Sequence, residues 1–234
     1  GAYGMYLLGW GADYPDATNF LDYHFGGGSS AQFGERIQGV VDGLRAAGQL
    51  SDLEARNAIY AEVNTLLRDE VPMLPIAHGA SAVAYRAAIG GFPHASPLGN
   101  ESFAVMEDPD DDVFVWVQNG EPAGLYCADE SDGEALRVCE QVGEPLLGYE
   151  VGGTNVVPAL AVSYEANEDA TEYTFTLREG VLFHDGSALD ANDVVLSWGI
   201  QWDASHPLHV GRDGSFTYFS GFFGSFLNAP AATE

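Results

Sequence analysis

The residues with chemistry to offer are few and scattered. Asp13 sits in Gly9-Trp10-Gly11-Ala12-Asp13-Tyr14-Pro15-Asp16, at the end of an apolar run from Met5 to Trp10. A strand ending in Gly-x-Asp-aromatic-Pro puts an acidic group at the mouth of a sheet, where small ligands tend to bind. The other reading of Asp13 is a turn cap at a satisfied sheet edge. His184-Asp185 has the look of a dyad, but a structural hydrogen bond after a strand is the expectation. His206 and His209, with Asp203 and Asp213, could hold a metal, yet Pro207 interrupts a spacing that suits a solvated loop. Asp108, Asp110 and Asp112 alternate as in a calcium loop, but Val113 stands where such a loop needs Gly and Asn119 where it needs Glu. Asn100-Glu101-Ser102 fits a glycosylation acceptor, a pattern frequent by chance. No nucleophile–base pair stands out, so no catalysis, cofactor or metal is expected.

Composition removes whole classes of function. All eight basic residues are arginine, and 35 acids bring the net charge to −27 over 234 residues. Without lysine there is no P-loop lysine, Schiff base or Ser-x-x-Lys acyl enzyme. So acidic a chain repels nucleic acid and anionic lipid, and suits an exported, solvent-exposed protein. Cys127 and Cys139 form no Cys-x-x-Cys motif. In a lysine-free acidic chain they read as one disulfide of an oxidising compartment, against the alternative of two thiols. No run of about 18 apolar residues is present, so no membrane span is expected. There is no signal peptide, which implies a processed form if the chain is exported.

Positioning elements follow from periodicity. Strands are expected at 4–10, 73–78, 113–118 and 171–178. In the last, Tyr173, Phe175 and Leu177 alternate with Thr174, Thr176 and Arg178. Helices are expected at 52–69 and 190–200, with a short one within 11–25, a third helical pattern over 33–47, and another following Ser131. Ser51 with Glu54 and Ser131 with Glu134 have the spacing of capping boxes. Asp190 reads as an N-cap, and Asp52–Arg56 as an i,i+4 pair. Val71-Pro72 ends the helix at 52–69. Gly26 to Ser30 is a loop with no basic partner for a phosphate. At 214–227 aromatics alternate with glycines, giving either a small core or an exposed, interaction-prone patch.

Two stretches carry a resemblance. Gly9-Trp10-x-Ala12-Asp13-Tyr14-x-x-Ala17 is similar to a segment of the peptide/nickel class (family 5) of extracellular solute-binding proteins that serve ABC transporters, in which Pro stands where this chain has Ala17. The series Glu54-Ala55-Arg56, Ile59-Tyr60, Leu66-Leu67, Val71-Pro72 and Leu74-Pro75-Ile76 resembles the same family near its C-terminus. Residues 113–202, with Glu144-Pro145-Leu146-Leu147, Val156 to Ala161, and Thr171 through Ser187, resemble its N-terminal part.

The resemblance implies a mixed α/β (α+β) lobe of the type II periplasmic binding class in permuted order. Its parts are a C-terminal-like region (1–106), an acidic linker (107–112) and an N-terminal-like region (113–234) ending in the Gly/aromatic tail. It implies an extracellular or periplasmic peptide-class solute-binding protein, or a fragment or permuted remnant of one. Its partners would be a small peptide or other amine-bearing solute, received by Asp13 with Trp10 and Tyr14 lining the pocket, and an ABC permease. The two halves could pair within one chain, as in a circular permutant. They could instead pair between chains, giving a head-to-tail extracellular filament, a homo-polymer built by strand complementation.

Overall fold

The computed structural model describes residues 5–50, 52–79, 82–167 and 171–223. It is a mixed α/β chain whose residues cluster into two compact units, 1–80 and 81–234.

The first unit is helical. Helix α1 runs Thr18–Phe25, α2 Gln38–Ala47 and α3 Leu53–Glu70. Val40, Val41, Leu44 and Ala47 recur at helical spacing on α2 and are buried. Tyr60 and Val63 of α3 and Leu21 of α1 join Val40, Leu44 and Ala47 in one core, flanked by Phe25, Ile37, Ile59 and Leu67. Gly43 lets α2 and α3 approach closely, since a Cβ there would lie 2.7 Å from the Val63 side chain. The cap of α3 is Asp52, whose carboxylate accepts the Ala55 N–H at 2.8 Å. Ser51, the expected cap, lies outside the described residues. Val71 ends the helix in the left-handed conformation, ahead of Pro72.

The second unit holds three separate two-stranded antiparallel pairs. Strand β1 (Gly90–Gly91) pairs with β2 (Met106–Glu107), β3 (Leu147–Tyr149) with β4 (Val156–Pro158), and β5 (Ala161–Ala166) with β6 (Tyr173–Leu177). Helices α4 (Gly133–Val142), α5 (Ala191–Trp202) and α6 (Thr217–Phe223) complete it. Asp190 caps α5 in a full capping box with Asp193. The cap of α4 is Asp132, not Ser131; its carboxylate reaches the Ala135 N–H at 2.9 Å. Asp132 takes the role because it stands immediately before the first helical residue, Gly133, where a side-chain oxygen reaches the orphan N–H two residues further on.

Of the four expected strands, only the one at 171–178 forms, as β6. Among the described residues, 5–10, 73–78 and 113–118 pair with no strand. Their apolar side chains are correspondingly exposed: Met5 92%, Ile76 74%, Val117 87%. An apolar run specifies an extended chain only when a neighbour takes up its N–H and C=O groups. Residues 113–118 still show the period of two. Phe114 and Trp116 pack on Phe103 at 5.2 and 4.9 Å between ring centroids, while Val113, Val115 and Val117 face out.

The acidic stretch 107–112 lies within the second unit: Glu107 closes β2 and Asp108 pairs with Arg86. The aromatic tail builds a small core as far as it is described, with Phe216 and Phe219 buried. Its end at 224–227, with Phe226, lies outside the described residues.

Candidate functional site

The approach to α1 gathers the residues of the Asp13 segment around one buried amide. Asn19 is 1% exposed. Its Oδ1 accepts the Trp10 indole N–H at 3.2 Å and the Asp13 backbone N–H at 3.1 Å, and its Nδ2 donates to Asp13 Oδ2 at 3.0 Å. Asp13 itself is exposed, and Trp10 and Tyr14 are half-buried. Trp10 stacks on Tyr23 at 4.1 Å and meets His24 edge-on at 4.9 Å. Tyr14 reaches Thr18 through its hydroxyl at 3.1 Å. The three sequence-derived residues therefore lie in one local cluster. An exposed carboxylate with one oxygen held by an amide is fixed in position.

A second layer secures this loop. Asp16 Oδ1 accepts the Thr18 N–H at 3.0 Å, the Thr18 hydroxyl at 2.8 Å and Arg56 Nη2 at 2.9 Å. Arg56 also donates to the Tyr60 hydroxyl at 2.9 Å. The expected Asp52–Arg56 pair is thus replaced: Asp52 caps α3 and Arg56 turns to Asp16, where the partly buried setting strengthens the pair. Burial pushes the Asp16 carboxyl up, but Thr18 and Arg56 outweigh it and hold the group below the usual range. Asp22 goes the other way. Burial, reinforced by the Asp16 charge and only partly offset by Arg56, raises it to about 6. Its Oδ2 is buried with no hydrogen-bond partner. Asn19 and Asp16 are not among the candidates that the sequence offers, and Arg56 stands there only as a partner of Asp52; the Asp16-x-Thr18 spacing of an Asx turn is the available signal.

The remaining candidates serve the scaffold. His184 Nε2 bonds the Val142 carbonyl at 2.9 Å, and Asp185 accepts both the N–H and hydroxyl of Ser187. His209 Nδ1 lies 2.6 Å from the Ile200 carbonyl, His206 accepts the Leu208 N–H, and Asp203 binds Ser205. Among the described residues no three His, Cys, Asp or Glu side chains are placed to hold a metal ion. No described helix is long and apolar enough to cross a membrane. Cys127 and Cys139 form a disulfide that ties the turn at Cys127–Asp129 to α4.

Residues 155–214, from β4 through β5, β6 and α5, match the family described as bacterial extracellular solute-binding proteins, family 5 Middle. The dipeptide-binding protein of Escherichia coli K12 is 42% identical over 82 residues, 32% of this chain and 15% of its own length. Heme-binding protein A of Haemophilus influenzae is 34% identical over 133 residues, 53% of this chain and 24% of its own. Di/tripeptide-binding protein 1 of Pseudomonas aeruginosa is 33% identical over 114 residues, 46% of this chain and 21% of its own. The chain thus spans a quarter or less of the length of these relatives. Over residues 155–214 the chain is thus similar to the bacterial extracellular solute-binding proteins of family 5.

Proposed function

We propose that the chain is a solute-binding module of peptide class, or a fragment or permuted remnant of one, that works outside the cytoplasm and delivers its ligand to an ABC permease. In this reading, Asp13 receives the ammonium of a small peptide or other amine-bearing solute, and Trp10 and Tyr14 line the place where it sits. The observation that carries the reading is the Asn19 clamp. It spends a buried amide on orienting an exposed carboxylate next to an indole, an arrangement a mere turn does not require. The identity to dipeptide- and di/tripeptide-binding proteins supports the ligand class.

The proposed architecture is one lobe of the type II periplasmic binding class in permuted order. A C-terminal-like region (1–106) precedes the N-terminal-like region (113–234), joined through 107–112. The exposed apolar runs at 5–8, 74–76 and 113–117 support the view that sheet partners are still to be supplied. The head-to-tail filament finds no support in the fold or the relatives.

Calorimetry with a pool of dipeptides, set against the same pool N-acetylated, tests the binding role. The expected result is heat from the free-amine pool alone, lost in Asp13→Ala. Binding that survives Asp13→Ala undiminished would overturn the role of Asp13, and equal binding of the acetylated pool would overturn ammonium recognition.

A further inference from the structure

Within the second unit, the turn at Cys127–Asp129, α4, α5 and α6 surround a cavity of about 250 Å³, lined among others by Cys127, Leu136, Trp198, Gln201, Phe219 and Phe223. It has no part in the function proposed above, which rests on the first unit. Three of its rings form one cluster. Trp198 meets Phe219 edge-on at 5.6 Å and Phe223 at 4.9 Å, and Phe219 lies 5.3 Å from Phe223. The bridge from Cys127 to Cys139 ties the turn to α4, one helical turn beyond Leu136, so this side of the chamber is held in place before any guest arrives.

Among the described lining residues no charge faces the chamber. Glu130 borders it, but the Glu130 side chain has no accessible surface. Its Oε2 takes Arg212 Nε at 3.0 Å and its Oε1 abuts Gly124, which is not part of the lining. The neutral polar groups are engaged with backbone: Gln201 Nε2 donates to the Ser197 carbonyl at 3.0 Å, and the Tyr218 hydroxyl to the Ser131 carbonyl at 3.3 Å.

Such a lining selects by size and polarity. Water in an apolar chamber finds few partners, and a dry apolar cavity of about 150 Å³ holds benzene. A chamber of about 250 Å³ has room for a second fused ring, and it falls below the about 300–1,000 Å³ of drug-sized sites. An aromatic guest extends the edge-to-face contacts of Trp198, Phe219 and Phe223 and gains beyond the area it buries. An ion of the same shape would give up its hydration with no opposite charge on the wall to replace it.

We infer that this cavity is a second ligand site, for a small neutral aromatic molecule of one or two fused rings that packs against Leu136, Trp198, Phe219 and Phe223. The site is independent of Asp13.

The test uses the whole chain at pH 7 and three probes built on one bicyclic frame, followed by calorimetry: neutral 2-naphthol, anionic 2-naphthoate and cationic N-methylisoquinolinium. The naphthol is expected to bind about tenfold more tightly than either ion, the difference being the hydration an ion loses. Leu136→Trp should abolish naphthol binding by filling the chamber, and Asp13→Ala should leave it unchanged. No binding of the naphthol would overturn the inference, as would equal affinity for all three probes or tighter binding of an ion. Naphthol binding indifferent to Leu136→Trp, or lost in Asp13→Ala, would place the probe elsewhere and equally overturn it. Should Leu136→Trp fail to fold, the smaller filling Leu136→Phe takes its place, with weakened naphthol binding expected and unchanged binding counting against the site.

Discussion

Asn19 holds Asp13 from both ends: its Oδ1 accepts the Asp13 backbone N–H at 3.1 Å and its Nδ2 donates to the Asp13 carboxylate at 3.0 Å. The same Oδ1 takes the Trp10 indole N–H, so one amide sets the position of two residues proposed to meet the ligand. Asn19→Leu, nearly isosteric, leaves these donors without their acceptor. It should destabilise the protein by about 2–3 kcal/mol in urea titrations. Peptide affinity in the folded fraction should drop about tenfold, as for a misplaced charged contact. A variant that loses stability but keeps full affinity would show that the clamp is only structural.

Asp22 makes stability depend on pH. Its folded-state carboxyl is raised to about 6, first by burial and then by Asp16, with Arg56 opposing. A raised carboxyl binds its proton more tightly in the folded state. Its contribution is therefore complete below the unfolded value of about 4 and is lost as pH rises through about 6. Two units correspond to about 3 kcal/mol, an upper limit that residual solvent screening reduces. Asp22→Asn should consequently be more stable than the native protein at pH 7.5 and show no gain at pH 4, measured by thermal melts at both. Asp16, held low, acts in the opposite direction at acid pH; Asp16→Asn provides the control, flattening the loss of stability on acidification.

The Cys127–Cys139 bridge closes a loop of 12 residues' separation. Loop-closure entropy for such a loop is about 3 kcal/mol. Mass spectrometry under non-reducing conditions should find no alkylatable thiol, and reduction should lower the urea midpoint accordingly. Two free thiols in the native protein would count against the bridge.

Asp129 organises the loop ahead of α6. Its carboxylate accepts the N–H groups of Asp213, Gly214 and Phe216 at 2.9, 2.7 and 2.7 Å. Phe216 is fully buried with φ of 42°, a left-handed conformation costly for a bulky residue. The hydrogen bonds are what hold it there. Burial would raise the Asp129 carboxyl, but these N–H groups and Arg212 outweigh it and keep the group low. Asp129→Ala should cost about 3 kcal/mol or more, whereas Asp129→Asn, which keeps an acceptor, should cost less. Equal losses in the two variants would contradict this account.

What the chain's own residues determined is local. The 3.6-residue recurrence of Ile59, Tyr60, Val63, Leu66 and Leu67 sufficed for α3, the alternation of Phe175 and Leu177 for β6, and Asp190 for the start of α5. Proximity in sequence also sufficed for the Asp13 cluster, whose members all lie within 10–24, and for the pairing of the two cysteines. These features need only neighbours a few residues away. The tertiary structure decided whatever depends on a distant partner. Arg56 could turn to Asp52 four residues off or to Asp16 forty residues off, and burial beside α1 favoured Asp16. Met5 to Trp10, Leu74 to Ile76 and Val113 to Val117 carry the composition of strands, but a strand exists only where another backbone answers its hydrogen bonds. Glu130 shows the same limit: nothing near it in sequence foretells that Arg212 would take one of its oxygens. Burial and pairing are properties of the assembled chain, and no local pattern encodes them.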